Sequence, residues 1–140
     1  SDMTFFLQIH RFHKRYTTHL TTILAPHELS NANWSLLHYL MEHGLTTTSQ
    51  IAKYWDVEKP TVSANVKTLT QHGLIQIKYG EDKREKYLSL TESGEDLYGI
   101  IFPEIKLLQQ RLLSTLTEEQ QKKFQQALNE MEQLLKEGLT

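Results

Sequence analysis

Between Thr47 and Leu90 the hydrophobic period of the chain changes from helical to alternating, and that change limits the folds open to it. Thr47 and Gln50 form a capping-box pair that starts a short helix, with Ile51, Ala52 and Trp55 as its inward candidates. Asp56, Val57 and Glu58 read as a turn. A second helix spans about Lys59 to His72, with Pro60 in its first turn, where a missing N–H costs nothing, and Gly73 as its stop. Val62, Val66 and Leu69 share its apolar face. At about 100° per residue the opposite face carries Pro60, Ala64, Lys67 and Gln71, flanked by Thr61, Ser63 and Thr68. The period then drops to two. Ile75, Ile77 and Tyr79 alternate with polar residues, Leu88 and Leu90 do so on the return, and a charged tip from Gly80 to Glu85 lies between. Short helix, turn, helix and hairpin make a winged helix-turn-helix arrangement. A helix about 10–12 Å across fits the major groove of a duplex, and a basic hairpin tip reaches the neighbouring phosphates or minor groove.

The flanks are helical. A first helix runs from about Thr4 to Leu24, with Phe5, Ile9, Phe12, Tyr16, Leu20 and Ile23 in one stripe, Arg11, Lys14 and Arg15 on other faces, and Pro26 at its end. An aromatic stripe of this kind on a terminal helix needs a large partner surface. Ser30 is the N-cap of a second helix, Leu29 and Trp34 stand at hydrophobic-staple positions, and Trp34, Leu37, His38 and Met41 line one side before Gly44. After the hairpin, Thr91 caps a helix striped by Leu97, Ile101, Ile105, Leu108 and Leu112, with a bend expected at Pro103. Thr117 and Gln120 cap a last helix, in which Phe124, Leu128, Met131 and Leu135 recur until Gly138. The expected class is mainly α (α+β), a single domain over residues 1–140.

Composition excludes several functions. The 140 residues are 39% hydrophobic and 23% charged, as in a globular chain. No apolar run approaches the roughly 18–20 residues that cross a bilayer, and no secretory signal opens the chain, so the expected address is cytoplasmic. Ser1 and Asp2 ahead of Met3 read as a cloning remnant. There are no cysteines, which removes disulfides and thiolate chemistry. No Gly-x-Ser-x-Gly, His-Glu-x-x-His or phosphate-binding glycine loop is present, so no enzyme is expected. Net charge is −2, but it is uneven. Lys53 to Lys86 holds seven basic and five acidic residues, whereas Thr91 to the end holds five and nine.

Several stretches resemble the MarR family of transcriptional regulators. The run from Leu29 to Leu37 is similar to that family's second helix, and Ile51-Ala52, Lys59 to Ser63, Leu69 and Gly73-Leu74-Ile75 to its helix-turn-helix core. Asp82-Lys83-Arg84, followed by Leu88 to Thr91 and Gly94, resembles its wing and the step into the next helix. The resemblance covers nearly the whole chain. It implies a bacterial homodimeric regulator, usually a repressor, with a winged-helix lobe at about 30–92 and dimerisation helices at about 4–25 and 93–138. It also implies a crevice that responds to a small molecule. Three positions depart from the family pattern. Ala64 stands where Arg is frequent, which leaves a methyl to meet a thymine methyl instead of a bidentate guanine contact. Asp56 replaces a turn glycine, and Trp55 a smaller aliphatic residue.

From these readings come the candidate residues. Lys59, Lys67, Lys83 and Lys86 are phosphate candidates, and Pro60, Thr61, Ser63, Ala64 and Thr68 approach base edges. Arg84 is the minor-groove or phosphate candidate of the wing, with Asp82 orienting it. Glu81 and Glu85 oppose phosphate binding, and the tip from Gly80 to Lys86 sums to zero charge. Asn65 reads as a flank residue. Phe5, Ile9, Phe12, Phe124, Leu128, Met131 and Leu135 are the dimer candidates. Tyr16, Trp34 and His38 are pocket candidates, with plain core packing as the other reading. His10, His13 and His38 raise a zinc-responsive alternative, but a late helical histidine pair is missing, so neither metal nor cofactor is expected. The near-neutral tip leaves a protein-interaction module as a further alternative. The expected partners are a pseudo-palindromic DNA duplex, a second copy of the chain and a small-molecule effector, with no membrane.

Overall fold

The computed structural model describes residues 2–139. Six helices and one hairpin follow in order: α1 (Asp2–Leu24), α2 (Asn31–His43), α3 (Thr48–Trp55), α4 (Lys59–Gln71), β1 (Ile75–Tyr79), β2 (Lys86–Leu90), α5 (Glu92–Leu113) and α6 (Glu118–Glu137). A 3-10 turn, Ala25–His27, follows α1, with Pro26 in it. The chain divides into two compact units at Pro103, within α5.

The helix starts follow their caps. Ser30, Thr47 and Thr117 each accept a hydrogen bond from the backbone N–H three residues on, and Asn33, Gln50 and Gln120 reach back to the cap N–H. The ends are as specific. At the end of α4, Leu74 N–H donates to the Leu69 carbonyl and Gly73 N–H to that of Thr70, both at 3.0 Å. Gly73 sits at φ 72°, in a left-handed region that glycine enters without a Cβ penalty. Asp56 takes the same role after α3 at φ 55°, which aspartate tolerates better than most residues.

The core of the first unit gathers Leu24, Leu36, Leu37, Ile51, Val62, Leu69, Leu88 and Ile101, all fully buried. The inward face of α2 is therefore Trp34, Leu36, Leu37 and Leu40, with Asn33. Met41 does not belong to it and is 37% exposed. Trp55 is only half-buried, edge-on to Tyr39 at 5.8 Å. Its indole packs against Tyr39 instead of following Ile51 and Ala52 inside.

β1 and β2 pair antiparallel, with Ile75 opposite Leu90, Ile77 opposite Leu88 and Tyr79 opposite Lys86. The hairpin is tied down at two places. Leu88 and Thr46 exchange both backbone hydrogen bonds, at 2.7 and 3.2 Å, which joins β2 to the loop before α3. At the other place, the Thr91 hydroxyl donates to the Gly73 carbonyl at 2.6 Å and accepts from Gly94 N–H at 3.0 Å. Thr91 N–H donates to the Leu74 carbonyl. The start of α5 lies so close to Leu74 that a Cβ on Gly94 would collide with its carbonyl oxygen.

In the second unit, α6 has no buried residue. Phe124 is 61% exposed, Leu135 69%, and Leu128 and Met131 36% each. In the first unit, α1 exposes Phe5, Ile9 and Phe12 of its stripe, and Phe6 beside it, while Tyr16 and Ile23 are half-buried, Leu20 is buried, and Leu24 next to the stripe is fully buried.

Gly94→Ala has no side chain to displace, only backbone. It is expected to lower the unfolding free energy by about 1–3 kcal/mol, measured by urea denaturation. An unchanged midpoint would show that α5 does not meet Leu74 so closely.

Candidate nucleic-acid interface

α4 is set from below by Val62, Val66 and Leu69, and at its side by a polar lock. Buried Asn33 donates its amide to Asn65 Oδ1 at 2.6 Å, and Asn65 Nδ2 donates to the Ala32 carbonyl at 2.7 Å. Asn33 Oδ1 also accepts from Ser30 N–H at 2.9 Å. Asn65 is thus spent on holding α4 against the start of α2, and this corrects its reading as a mere flank residue. Periodicity could not reveal this, because the partner amide lies 32 residues away.

With the helix so held, Lys59, Pro60, Thr61, Ser63, Ala64 and Lys67 are exposed. Thr68 is half-buried and its hydroxyl turns back to the Ala64 carbonyl at 3.2 Å. No acidic residue lies within α4 itself; the carboxylate at the positive end of its dipole is that of its N-cap, Glu58, which makes no capping hydrogen bond.

The hairpin resolves the neutral charge of its tip. Along β2 successive side chains alternate between faces. Lys86 lies with Leu88 and Leu90, opposite Tyr79, Ile77 and Ile75, on the inner face. Glu85 falls on the outer face with Tyr87, whose hydroxyl donates to Glu85 Oε2 at 3.0 Å. That hydrogen bond and the charge of Glu85 push the Tyr87 phenol above its ordinary pKa. At the tip, Asp82 grips Arg84. Its carboxylate accepts from Arg84 Nη2 at 2.8 Å, from Nε at 3.1 and 3.2 Å, and from the Arg84 backbone N–H at 2.9 Å. The guanidinium holds the Asp82 carboxyl below its usual pKa, and the Arg84 side chain is still 90% exposed. Lys83 is exposed beside it.

A groove of about 320 Å³ lies between α4 and the hairpin. Val66, Ile77 and Leu88 form its apolar floor, Ser63, Lys67, Thr70 and Gln71 one wall, and Lys86 the other, with Thr48 of α3 alongside. No acidic residue lines it.

Trp34 and His38 form a ring cluster with Tyr98 and Phe102 of α5. Trp34 and Tyr98 stack at 4.9 Å and Tyr98 and Phe102 at 5.3 Å. His38 Nδ1 is 2.8 Å from the Tyr98 hydroxyl, and its Nε2 is 3.1 Å from Glu42. Burial first, and then the Glu42 charge, push the Tyr98 phenol upward. Tyr16 stacks on Phe12, at 6.4 Å. Tyr98 and Phe102 were not among the sequence candidates. Their signal was the i, i+4 aromatic spacing they share with Trp34 and His38. Among the described residues no group of three or more His, Asp or Glu is placed to hold a metal ion. No helix among them is long and apolar enough to cross a membrane.

The sequence pattern of a winged helix DNA-binding domain matches residues 29–94, the stretch from before α2 to the start of α5. An HTH-type transcriptional regulator of Staphylococcus aureus strain MSSA476 is 32% identical over 133 residues, 94% of this chain and 90% of the relative. The S. aureus MarR structure in complex with salicylate and kanamycin superposes with a TM-score of 0.85 at 27% identity, over 97% of this chain and 93% of that one. The chain belongs to the MarR family of winged helix-turn-helix transcriptional regulators. YwoH of Bacillus subtilis strain 168, another HTH-type transcriptional regulator, is 36% identical over 101 residues, 72% of this MarR-family chain and 74% of YwoH. The S. aureus MepR–DNA complex superposes with a TM-score of 0.80 at 25% identity, covering 96% of each chain. Both of these relatives are HTH-type transcriptional regulators.

A carboxylate titration by NMR tests the wing pair. Asp82 is expected to titrate below the ordinary 3.8 in the wild type and to return towards it in Arg84→Ala. Because the folded pKa is lowered, the pair orders the wing above that ordinary value and is lost as pH falls through the lowered one. An ordinary value in both proteins would rule the pair out in solution.

Proposed function

We propose that this regulator works as a cytoplasmic homodimer that places two α4 helices in successive major grooves of a pseudo-palindromic operator, about 34 Å apart, and represses transcription. The observation that carries this reading is the acid-free, exposed face of α4 beside a lysine-rimmed groove and an arginine-tipped hairpin. The lobe of about 30–92 reads DNA. Thr61, Ser63 and Ala64 approach base edges, with Pro60 and Thr68 bordering them. Lys59, Lys67, Lys83 and Lys86 meet phosphates, and Arg84, oriented by Asp82, enters the minor groove. The S. aureus MepR–DNA complex supports the same use of the fold.

Self-association rests on the helices of about 4–25 and 93–138. A helix of 20 residues with no fully buried side chain gains little packing energy, and most helical stability in proteins comes from a packed apolar face. A second copy covering Phe124, Leu128, Met131 and Leu135, together with Phe5, Ile9 and Phe12, supplies that packing. A small-molecule effector is the third element. The Trp34–His38–Tyr98–Phe102 cluster offers ring faces and polar edges, with Tyr16 as a further candidate, and the S. aureus MarR complex carries salicylate and kanamycin. An effector acts only by binding the DNA-competent and incompetent forms unequally.

Gel shifts across a salt series test the reading, with sedimentation run in parallel. The wild type is expected to sediment as a dimer and to lose log affinity linearly with log salt, at about 0.9 per neutralised phosphate. Arg84→Ala is expected to bind about tenfold or more weakly. A monomer, or an affinity indifferent to salt, would contradict the proposal. Salicylate titrated into the complex is expected to release DNA, and retention of DNA at saturating salicylate would exclude an aromatic acid of that kind as the effector.

A further inference from the structure

A helix in a major groove and a hairpin in the adjacent minor groove straddle the sugar–phosphate strand between those grooves. Whatever lies between α4 and the hairpin must therefore receive that strand. Here the space between them is the open groove floored by Val66, Ile77 and Leu88. Its two walls each carry one ammonium group, Lys67 from α4 and Lys86 from β2. The Ser63 hydroxyl stands one helical turn before Lys67 on the same wall. The acidic side chain nearest in sequence, Glu85, points to the other face of the hairpin and is occupied by Tyr87. Directly across the ladder from Lys86 is Tyr79, on the same inner face but beyond the buried part, and 62% exposed. An exposed aromatic ring directly across the ladder from a groove-lining lysine is positioned to lie along a deoxyribose.

We propose that Lys67 and Lys86 grip one and the same backbone phosphate from opposite sides of this groove, and that Tyr79 packs its ring on the adjoining sugar. The proposal rests on the DNA-binding reading above and adds to it a shared contact and a residue without a sequence motif. Two ammonium groups on one phosphate neutralise it jointly, so either lysine alone retains part of the contact. The grip fixes how deep α4 enters, because the strand it holds is the boundary between the two grooves.

The test uses the full chain and a duplex recovered by the wild type from a random-sequence pool. Each backbone phosphate of the duplex is replaced singly by an uncharged methylphosphonate. Several positions per half-site are expected to weaken the wild type, and one of them, on the strand between the two grooves, about tenfold. That sensitivity is expected to shrink in Lys67→Ala and in Lys86→Ala at the same position, and to vanish in the double variant. All variants are checked for an unchanged thermal midpoint, as befits exposed side chains. Sensitivity lost at two different positions in the two single variants would overturn the shared grip. Tyr79→Ala is expected to bind roughly three- to tenfold more weakly with an unchanged salt slope, and Tyr79→Phe to bind as the wild type. Tyr79→Phe as weak as Tyr79→Ala would overturn the ring-on-sugar contact. A wild type that recovers no duplex overturns the DNA-binding reading itself and this proposal with it, an outcome distinct from the failures above.

Discussion

The junction where α4, the hairpin and α5 meet governs the rest of the molecule. Gly73 turns the chain out of α4 in a left-handed conformation, and Leu74 closes the helix by bonding back to Leu69. The Thr91 hydroxyl then bonds to the Gly73 carbonyl and receives Gly94 N–H, while its own N–H bonds to Leu74. Both ends of the hairpin are thereby fixed within a few residues of the end of α4. The Thr46–Leu88 exchange adds a third point of attachment, at the base of α3. A recognition helix and a wing can read adjacent grooves only if their spacing is set before DNA arrives, since any freedom between them is entropy lost on binding.

That rigidity explains how a chain of net charge −2 belongs to a DNA-binding family. Counterion release depends on which charges meet phosphates, not on the total. Strand alternation places Lys86 inward and Glu85 outward, and Tyr87 holds Glu85 there. Asp82 is consumed in orienting Arg84. The tip is neutral by count and cationic towards the groove. The acidic surplus lies after Thr91, in the part of the chain proposed for self-association.

Much of the fold was legible because it is written locally. Ser30, Thr47 and Thr117 name helix starts through side chains three residues apart, Gly73 names an end, and the alternation of Ile75, Ile77 and Leu88 names the hairpin. The misreadings come from packing choices that periodicity alone does not settle, most of them contacts between distant segments. Met41 follows the periodicity of α2 yet faces outward, because Leu36 and Leu40 take the inner positions. Asn65 looked like an idle flank because nothing in its own helix reveals Asn33 and Ala32 as partners. Tyr98 and Phe102 complete the cluster of Trp34 and His38 from about sixty residues away, the separation of His38 and Tyr98 being 60. The departures from family pattern divide similarly. Asp56 does take the left-handed turn position in glycine's place, whereas Trp55 finds a half-buried edge contact with Tyr39 that composition could not supply.

In the proposed mode of binding, α4 and the wing engage neighbouring grooves as one rigid unit, presented twice by a symmetric pair. Hydroxyl-radical footprinting on a selected duplex reads this at the level of single sugars. Two equivalent protected zones are expected, centred about 10 base pairs apart on the operator, each spanning the backbone between a major groove and the next minor groove. A single protected zone, or two zones confined to the major groove with the minor groove fully cleaved, would contradict it.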